Sequence, residues 1–312
     1  MERTRKSNYH PEDKVLLKRG NALYNKIPSA ILTSDWHLRE DTPTCFIGDF
    51  QKEQWDVVNF IYDLQGKYEC PVIHAGDLFH HWKSSPWLLS MTIKHLPDSF
   101  YTILGQHDLP QHSLELYTKS GVYTLEKANK VHLLPFCHFG TLPEQYKEFQ
   151  GSVNFKNYAI LVWHHLTYLS KPFPGAEGGM AEGILRKYPQ FSLICTGDNH
   201  QSFTVEYQGR RLVNPGNITR QTADQAEFQP RVALWYAEDN SIQWVNLPKQ
   251  EGVISREHIE VKEKRDARID AFVSRLNDDY KTELSFEDNL IAFFETNRIR
   301  ESVKSIIYKS LE

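Results

Sequence analysis

Residues 29–37, SAILTSDWH, decide the fold of this chain. Ala30, Ile31 and Leu32 make an apolar run too short for a stable helix, and the polar group Ser34-Asp35-Trp36-His37 follows at once, as in a buried strand that ends in a loop. The same grammar recurs in CPVIHAGD at 70–77, FYTILGQHD at 100–108, YAILVWHH at 158–165, FSLICTGDNH at 191–200 and RLVNPGN at 211–217. Between the first two runs, FQKEQWDVVNFIYDLQGKY at 50–68 sets Trp55, Val58, Phe60, Ile61 and Leu64 at helical spacing, with Gly66 as the expected stop. Strands that alternate with helices place the chain in the α/β class. RVALWYAEDNSIQWVNL at 231–247 reads as a hairpin around an Asp-Asn turn, and the Gly-rich stretch 174–183 as a mobile loop.

With 312 residues, 40% of them hydrophobic, the chain can bury a large core and carry an appendage. Three regions are expected: a basic extension over 1–28, a catalytic domain over 29–250 and a helical segment over 251–312, where IDAFVSRLNDDY, SFEDNLIAFFETN and RESVKSIIYKSLE show helical periodicity. The extension carries Arg3, Arg5, Lys6, Lys14, Lys18, Arg19 and Lys26, an arm that is either simply solvated or in contact with phosphates. A net charge of -4 argues against holding nucleic acid by bulk electrostatics, without excluding a nuclease. No apolar run is long enough to span a bilayer and the N-terminus lacks a secretory core, so a soluble, cytoplasmic protein is expected. Cys45, Cys70, Cys137 and Cys195 include no C-x-x-C pair, which points away from zinc knuckles and disulfide frameworks.

Five of the strand-like runs end in metal-compatible side chains: Asp35 and His37, Asp77, Gln106, His164 or His165, then Asp198 and His200. In an open α/β sheet the carboxyl ends of neighbouring strands converge on one crevice, so distant ligands can meet. The one-residue spacing in Asp35-Trp36-His37 and Asp198-Asn199-His200 lets both members of each pair face the same side. Two divalent cations about 3.5 to 4 Å apart would acidify a water and neutralise a phosphate ester. Mixed oxygen and nitrogen donors without cysteine suit manganese, iron or zinc. Because neighbouring strand residues alternate faces, only one of His164 and His165 should be a ligand, and the residues alone leave either open.

The ordered set DWH, GDLFHH, GQHD, WHH, GDNH and NPGN resembles the motifs of calcineurin-like metallophosphoesterases, over roughly residues 29 to 250. Within that superfamily, GDLFHHWKSSP followed by GQHD, and VNPGN before PRVALW, look most like the SbcD family of double-strand-break-repair nucleases. The resemblance implies a two-sheet β-sandwich flanked by helices, with a small helical appendage at the C-terminus. It implies that Asp35, His37, Asp77 and His200 hold one metal and that Asp77, Gln106, His164 and Asp198 hold the other, with Asp77 bridging. His107 corresponds to the catalytic histidine, Asp108 beside it would orient and charge that imidazole, and His80 would be a near-site residue. The implied activity is hydrolysis of DNA phosphodiesters. A phosphomonoesterase or cyclic-nucleotide phosphodiesterase on the same centre is the alternative. The implied partners are DNA, an SbcC-like ATPase and a second copy of the chain. The segment past Gly252 would be a reduced cap with a docking helix around Ile306, or would pack on the core. Two positions depart from the family pattern: Gln106 stands for Asn in GNHD, and Asp198 for the first His of GHxH. Both harden one metal's shell and favour manganese or magnesium over zinc.

Overall fold

The apolar runs read as near-continuous hydrophobic stretches because the strands they form are covered on both faces. The computed structural model describes residues 16–19, 22–135, 137–145, 153–155, 158–171, 175, 177–278 and 285–311. It divides into two units, Met1–Ile254 and Ser255–Glu312.

In the first unit, β1 (Leu16–Arg19) and β2 (Ala22–Asn25) pair as a hairpin inside the expected extension, whose first fifteen residues lie outside the described ones. Then β3 (Ala30–Thr33), α1 (Phe50–Tyr68), β4 (Val72–His74), α2 (Pro86–His95), β5 (Phe100–Thr102), α3 (Gly121–Lys127) and β6 (His132–Leu133) alternate. Strands β3 to β6 are parallel. Further on come β7 (Val153–Phe155), β8 (Tyr158–His164), the short pair β9 (Thr167–Tyr168) and β10 (Gly179–Met180), α4 (Ala181–Lys187), β11 (Leu193–Gly197), β12 (Phe203–Tyr207) and β13 (Arg210–Asn214). Last are β14 (Arg231–Tyr236) and β15 (Ser241–Asn246).

Two sheets result, one in the order β15-β14-β3-β4-β5-β6 and the other β12-β13-β11-β8-β7. Alternation along each strand sorts its side chains between layers. Ala30, Leu32, Ile73, Ile160, Val162, Leu193, Cys195 and Val213 fill the space between the sheets. Ile31, Val72 and Phe100 face outward onto Val58, Ile61 and Leu64 of α1, while Leu161, Trp163, Ile194 and Leu212 face Leu185 and Tyr188 around α4. The architecture is the expected two-sheet sandwich flanked by helices. All four cysteines are buried.

Several local readings change. Helix α1 starts at an Asp49 cap that accepts from Lys52 N–H at 2.9 Å, but it passes through Gly66 and ends where Glu69 turns left-handed (φ 50°). The stop belongs to Cys70-Pro71, because a proline disfavours helical geometry in the residue before it. The expected mobile loop is ordered from Gly179 onward, as β10 and the start of α4; residues 174 and 176 lie outside the described ones. The expected hairpin is β14–β15, with Asn240 at φ 53° in its turn. The Asn240 side chain accepts from Trp235 Nε1 and donates to the carbonyls of Ser192 and Gly209, stitching the hairpin tip to the other sheet.

The second unit holds α5 (Glu257–Asp278), α6 (Phe286–Thr296) and α7 (Glu301–Leu311). Leu290, Phe293 and Phe294 of α6 form its small core with Ile299 and Ile307, and Ser285 caps α6 by accepting from Asp288 N–H. Among the described residues, no helix is long and apolar enough to cross a membrane.

Candidate metal centre

The parallel strands deliver their carboxyl ends to one edge, and the loops that follow are zipped together by main-chain hydrogen bonds. Asp35 N–H donates to Gly76 O at 3.0 Å, His37 N–H to Asp77 O at 3.0 Å and Leu38 N–H to Leu78 O at 2.9 Å. In these loops Asp35, His37 and Asp77 adopt φ of 50°, 45° and 59°, and Asp198 follows β11 at 74°. Left-handed backbone at non-glycine residues costs of order 1 kcal/mol or more each and persists where the surroundings dictate it. The close approach also requires glycine: a Cβ on Gly105 would sit 2.1 Å from Asp77 Oδ1, and one on Gly76, itself at φ 94°, 2.5 Å from His164 Nδ1.

These loops bring the seven expected ligands into one cluster. Asp77 Oδ1 accepts from His107 N–H at 2.8 Å, while Oδ2 lies 3.7 Å from His37 Nε2 and 3.5 Å from His164 Nε2. Asp77 thus stands between two groups of donors. On one side, Asp35, His37 and His200 converge, with the two histidine Nε2 atoms 3.2 Å apart. On the other, His164 Nδ1 donates to Ala75 O at 2.7 Å and its Nε2 faces Gln106 Oε1 at 2.6 Å, while Gln106 Nε2 donates to Asp198 Oδ1 at 2.6 Å. Asp198 N–H closes the ring by donating to Asp35 Oδ1 at 3.1 Å. His165 is turned out of the cluster, its ring flat on Trp163 at 4.0 Å.

The donor set fits divalent cations. Asp35 and Asp77 are fully buried, yet Oδ2 of each has no hydrogen-bond partner; a buried carboxylate oxygen left bare needs a cation. Nε2 atoms of His37 and His200 facing each other at 3.2 Å likewise need a proton or a cation between them. Burial, then the neighbouring His200 and His107, hold the His37 pKa well below the usual value, so this ring is neutral and free to ligate. Burial also drives Asp77 well above the carboxylate range when nothing positive compensates it. At His164 burial opposes the charged form, but the Asp77, Asp35 and Asp198 carboxylates outweigh it and push the ring up to about 9. The same field that would hold that proton would hold a metal.

His107 and His80 sit at the rim. His107 Nδ1 donates to His80 O at 2.8 Å, which sets the tautomer and leaves Nε2 as the unprotonated nitrogen of the neutral ring. The rings of His80 and His107 stack at 5.5 Å, and burial, followed by Arg39, lowers His80 to about 4. Asp108 does not do what its place beside His107 suggests. Its carboxylate is fully buried and accepts the main-chain N–H groups of Leu78, Phe79 and Gly105 at 3.0 to 3.2 Å. Consecutive residues point in different directions, so His107 faces the site while Asp108 braces the loops from beneath.

Other side chains outside the expected ligand set support these loops. Gln221 Nε2 donates to His37 O at 3.3 Å, and Asn199 Nδ2 to Thr167 O at 2.6 Å. Asn214, the last residue of β13, donates to the carbonyls of Asn199 and Gln201 and accepts from Thr196 Oγ1, which clamps the Asp198–His200 loop. With cations bound, the centre supplies Lewis acidity and an acidified water. The chain's part is to hold the carboxylates and imidazoles around Asp77.

A two-sheet sandwich whose strand ends gather buried, under-bonded carboxylates and imidazoles defines a metal-dependent phosphoesterase, a hydrolase of phosphoester bonds that binds two divalent ions. The chain belongs to the calcineurin-like phosphoesterase family, which matches residues 29–202, more than half its length. No curated protein matches it in sequence. Among solved structures it is similar to an archaeal phosphodiesterase at 12% identity and a TM-score of 0.42, covering 70% of this chain and 99% of that one. It is similar to a putative 5'-nucleotidase from Staphylococcus aureus at 14% identity and 0.43, covering 76% and 58%. A third likeness is to vacuolar protein sorting 29 from Cryptosporidium parvum, at 16% identity and 0.34, covering 72% and 100%.

Proposed function

We propose that the chain is an SbcD-like DNA nuclease that hydrolyses DNA phosphodiesters with two metal ions, manganese being the preferred ion. The supporting observation is the pairing of His107 with His80, which joins the two motifs most like that family, GDLFHHWKSSP and GQHD. An imidazole held by one ring nitrogen, with the other free beside a metal cluster, suits protonation of a departing alkoxide. Asp35, His37, Asp77 and His200 hold one ion, and Asp77, Gln106, His164 and Asp198 the other. The hard donors of Gln106 and Asp198 favour manganese. Within this reading the partners are DNA, an SbcC-like ATPase and a second copy of the chain.

The test is incubation with manganese and, in separate reactions, linear duplex DNA, single-stranded DNA, a nucleoside monophosphate and a cyclic nucleotide. DNA fragmentation that is stopped by a chelator and by Asp77→Asn supports the proposal. Turnover of the monophosphate or the cyclic nucleotide without DNA cleavage replaces it with the corresponding esterase.

A further inference from the structure

A cavity of about 440 Å³ is lined by Gln201, Ser202, Asp224, Glu227, Phe228, Gln229 and Arg231. Gln201 directly follows His200, so the wall of the cavity begins about 4 Å along the chain from a proposed ligand. The opposite wall is the segment after β13, which is fixed against the site. Asn217 N–H donates to His200 O, and Gln221 Nε2 donates to His37 O. Gln225 Oε1 in turn accepts from Asn217 Nδ2 and from the N–H groups of Gln221 and Thr222. The segment that leads into the cavity lining is therefore tied to the main chain of His37 and His200, two of the expected ligands.

Its chemistry is unlike that of a phosphate site. The single cation, Arg231, is already committed: Nη2 donates to Ser202 O at 2.8 Å, and the guanidinium lies 4.2 Å from the centre of the Trp244 ring. Asp224 and Glu227 are exposed carboxylates with no hydrogen-bond or ion-pair partner among the described residues. They would repel a phosphodiester backbone. The Gln229 amide N–H donates to the carbonyls of Pro230 and Leu247, which leaves its oxygen as a further acceptor. Apart from the exposed Gln201 amide, which offers both donor and acceptor, the free groups are acceptors, arranged around the half-buried ring of Phe228. Acceptors beside an aromatic face match a flat ring that carries amino groups, and carboxylates accept from such groups on bases.

We infer that this cavity receives a nucleobase bearing an exocyclic amine, cytosine, adenine or guanine in preference to thymine or uracil, from the nucleotide next to the phosphate at the metal centre. The inference rests on the nucleic-acid reading of the site. Its base stacks on Phe228 and donates to Glu227 and Asp224. A single-stranded or frayed end, whose bases are already unpaired, can enter without the cost of unstacking.

The experiment titrates the whole protein with free cytidine and free uridine by ligand-observed NMR, and follows bis(4-nitrophenyl) phosphate, a baseless diester, in parallel. Cytidine should bind about fivefold tighter than uridine or more, the discrimination expected of one good carboxylate-to-amine contact. Glu227→Gln combined with Asp224→Asn should erase that preference and leave turnover of the baseless diester unchanged. Equal binding of the two nucleosides by the native protein overturns the inference, as does a preference that survives the double substitution. If nucleoside discrimination holds while DNA is not cleaved, the cavity stands and the nuclease reading falls. If DNA is cleaved without discrimination, the cavity falls alone.

Discussion

The side-chain amide of Gln106 spans the gap between His164 and Asp198, with Oε1 2.6 Å from His164 Nε2 and Nε2 2.6 Å from Asp198 Oδ1. Both spanning residues depart from the SbcD-like pattern, and they depart together: a longer amide reaches a shorter acid. Asp198→His should therefore shift the ion preference from manganese toward zinc or iron. Asp198→Ala should weaken binding at that side by at least about tenfold, a scale already seen when an outer-shell partner of a ligand is lost. The Asp35, His37 and His200 side should be spared, because Asp198 supports Asp35 through its main-chain N–H, which the substitution keeps. Titration calorimetry with manganese and zinc reads both effects. Unchanged preference in the first variant and full two-ion binding in the second would remove Asp198 from the shell.

Asp77→Ala should release metal and abolish phosphoester hydrolysis. Asp77 Oδ2 lies within 3.7 Å of both His37 and His164, so its loss leaves two cations facing each other without a shared anion. Metal content by plasma mass spectrometry checks this. An active Asp77→Ala protein with two bound ions would end its bridging role.

The contrast between Asp35 and Asp108 shows how much of this was legible in the sequence. Asp35, His37, Asp77, His164 and Asp198 were readable as a cluster because each ends an apolar run, and parallel strands must bring such ends together. Asp108 was misread because adjacency in GQHD was taken for contact. Its acceptors face the N–H group of nearby Gly105 and those of Leu78 and Phe79, 30 and 29 positions away, and the distant pair is a relationship that no local pattern carries. The division into two sheets follows from which runs pair, β11 between β8 and β13, and β14 beside β3, and strand order is not written in hydrophobicity. The cap of α2, Ser85 accepting from Leu88 N–H with Pro86 at the first helical position, is a signal legible in the Ser85-Pro86 pair. Gln221 had no signal at all: it lies in a loop and acts through the carbonyl of His37.

His107 and Asp108 should separate cleanly on mutation. His107→Ala removes the free imidazole nitrogen but no metal-bridging group, so metal content should hold while turnover falls by about a hundredfold or more. Asp108→Ala strips the acceptor from three main-chain N–H groups; at about 1 to 3 kcal/mol for each buried group left unsatisfied, it should destabilise the fold by about 3 kcal/mol or more. Thermal melting and turnover measured on both variants decide it. A stable Asp108→Ala protein with a shifted pH–rate profile would return Asp108 to the role of His107's orienting partner.

Acid should unfold this protein partly through His138. Its Nδ1 accepts from Leu104 N–H at 3.0 Å, so the folded state needs the neutral ring, and burial lowers its pKa to about 4. A histidine titrating near 6.5 when unfolded and near 4 when folded binds more protons in the unfolded chain between those values. Its contribution to stability is therefore complete above about pH 6.5 and falls away as the pH drops toward 4, by at most about 3 kcal/mol. His74, fully buried and also lowered well below its usual value by burial, adds to the same acid limb. His138→Asn can keep an acceptor for Leu104 without a group that must stay unprotonated. Urea unfolding midpoints measured from pH 8 to pH 4.5 should fall less steeply for this variant than for the native chain, with the His74 part remaining. Parallel acid limbs in the two proteins would show that the His138 ring does not resist protonation in the fold.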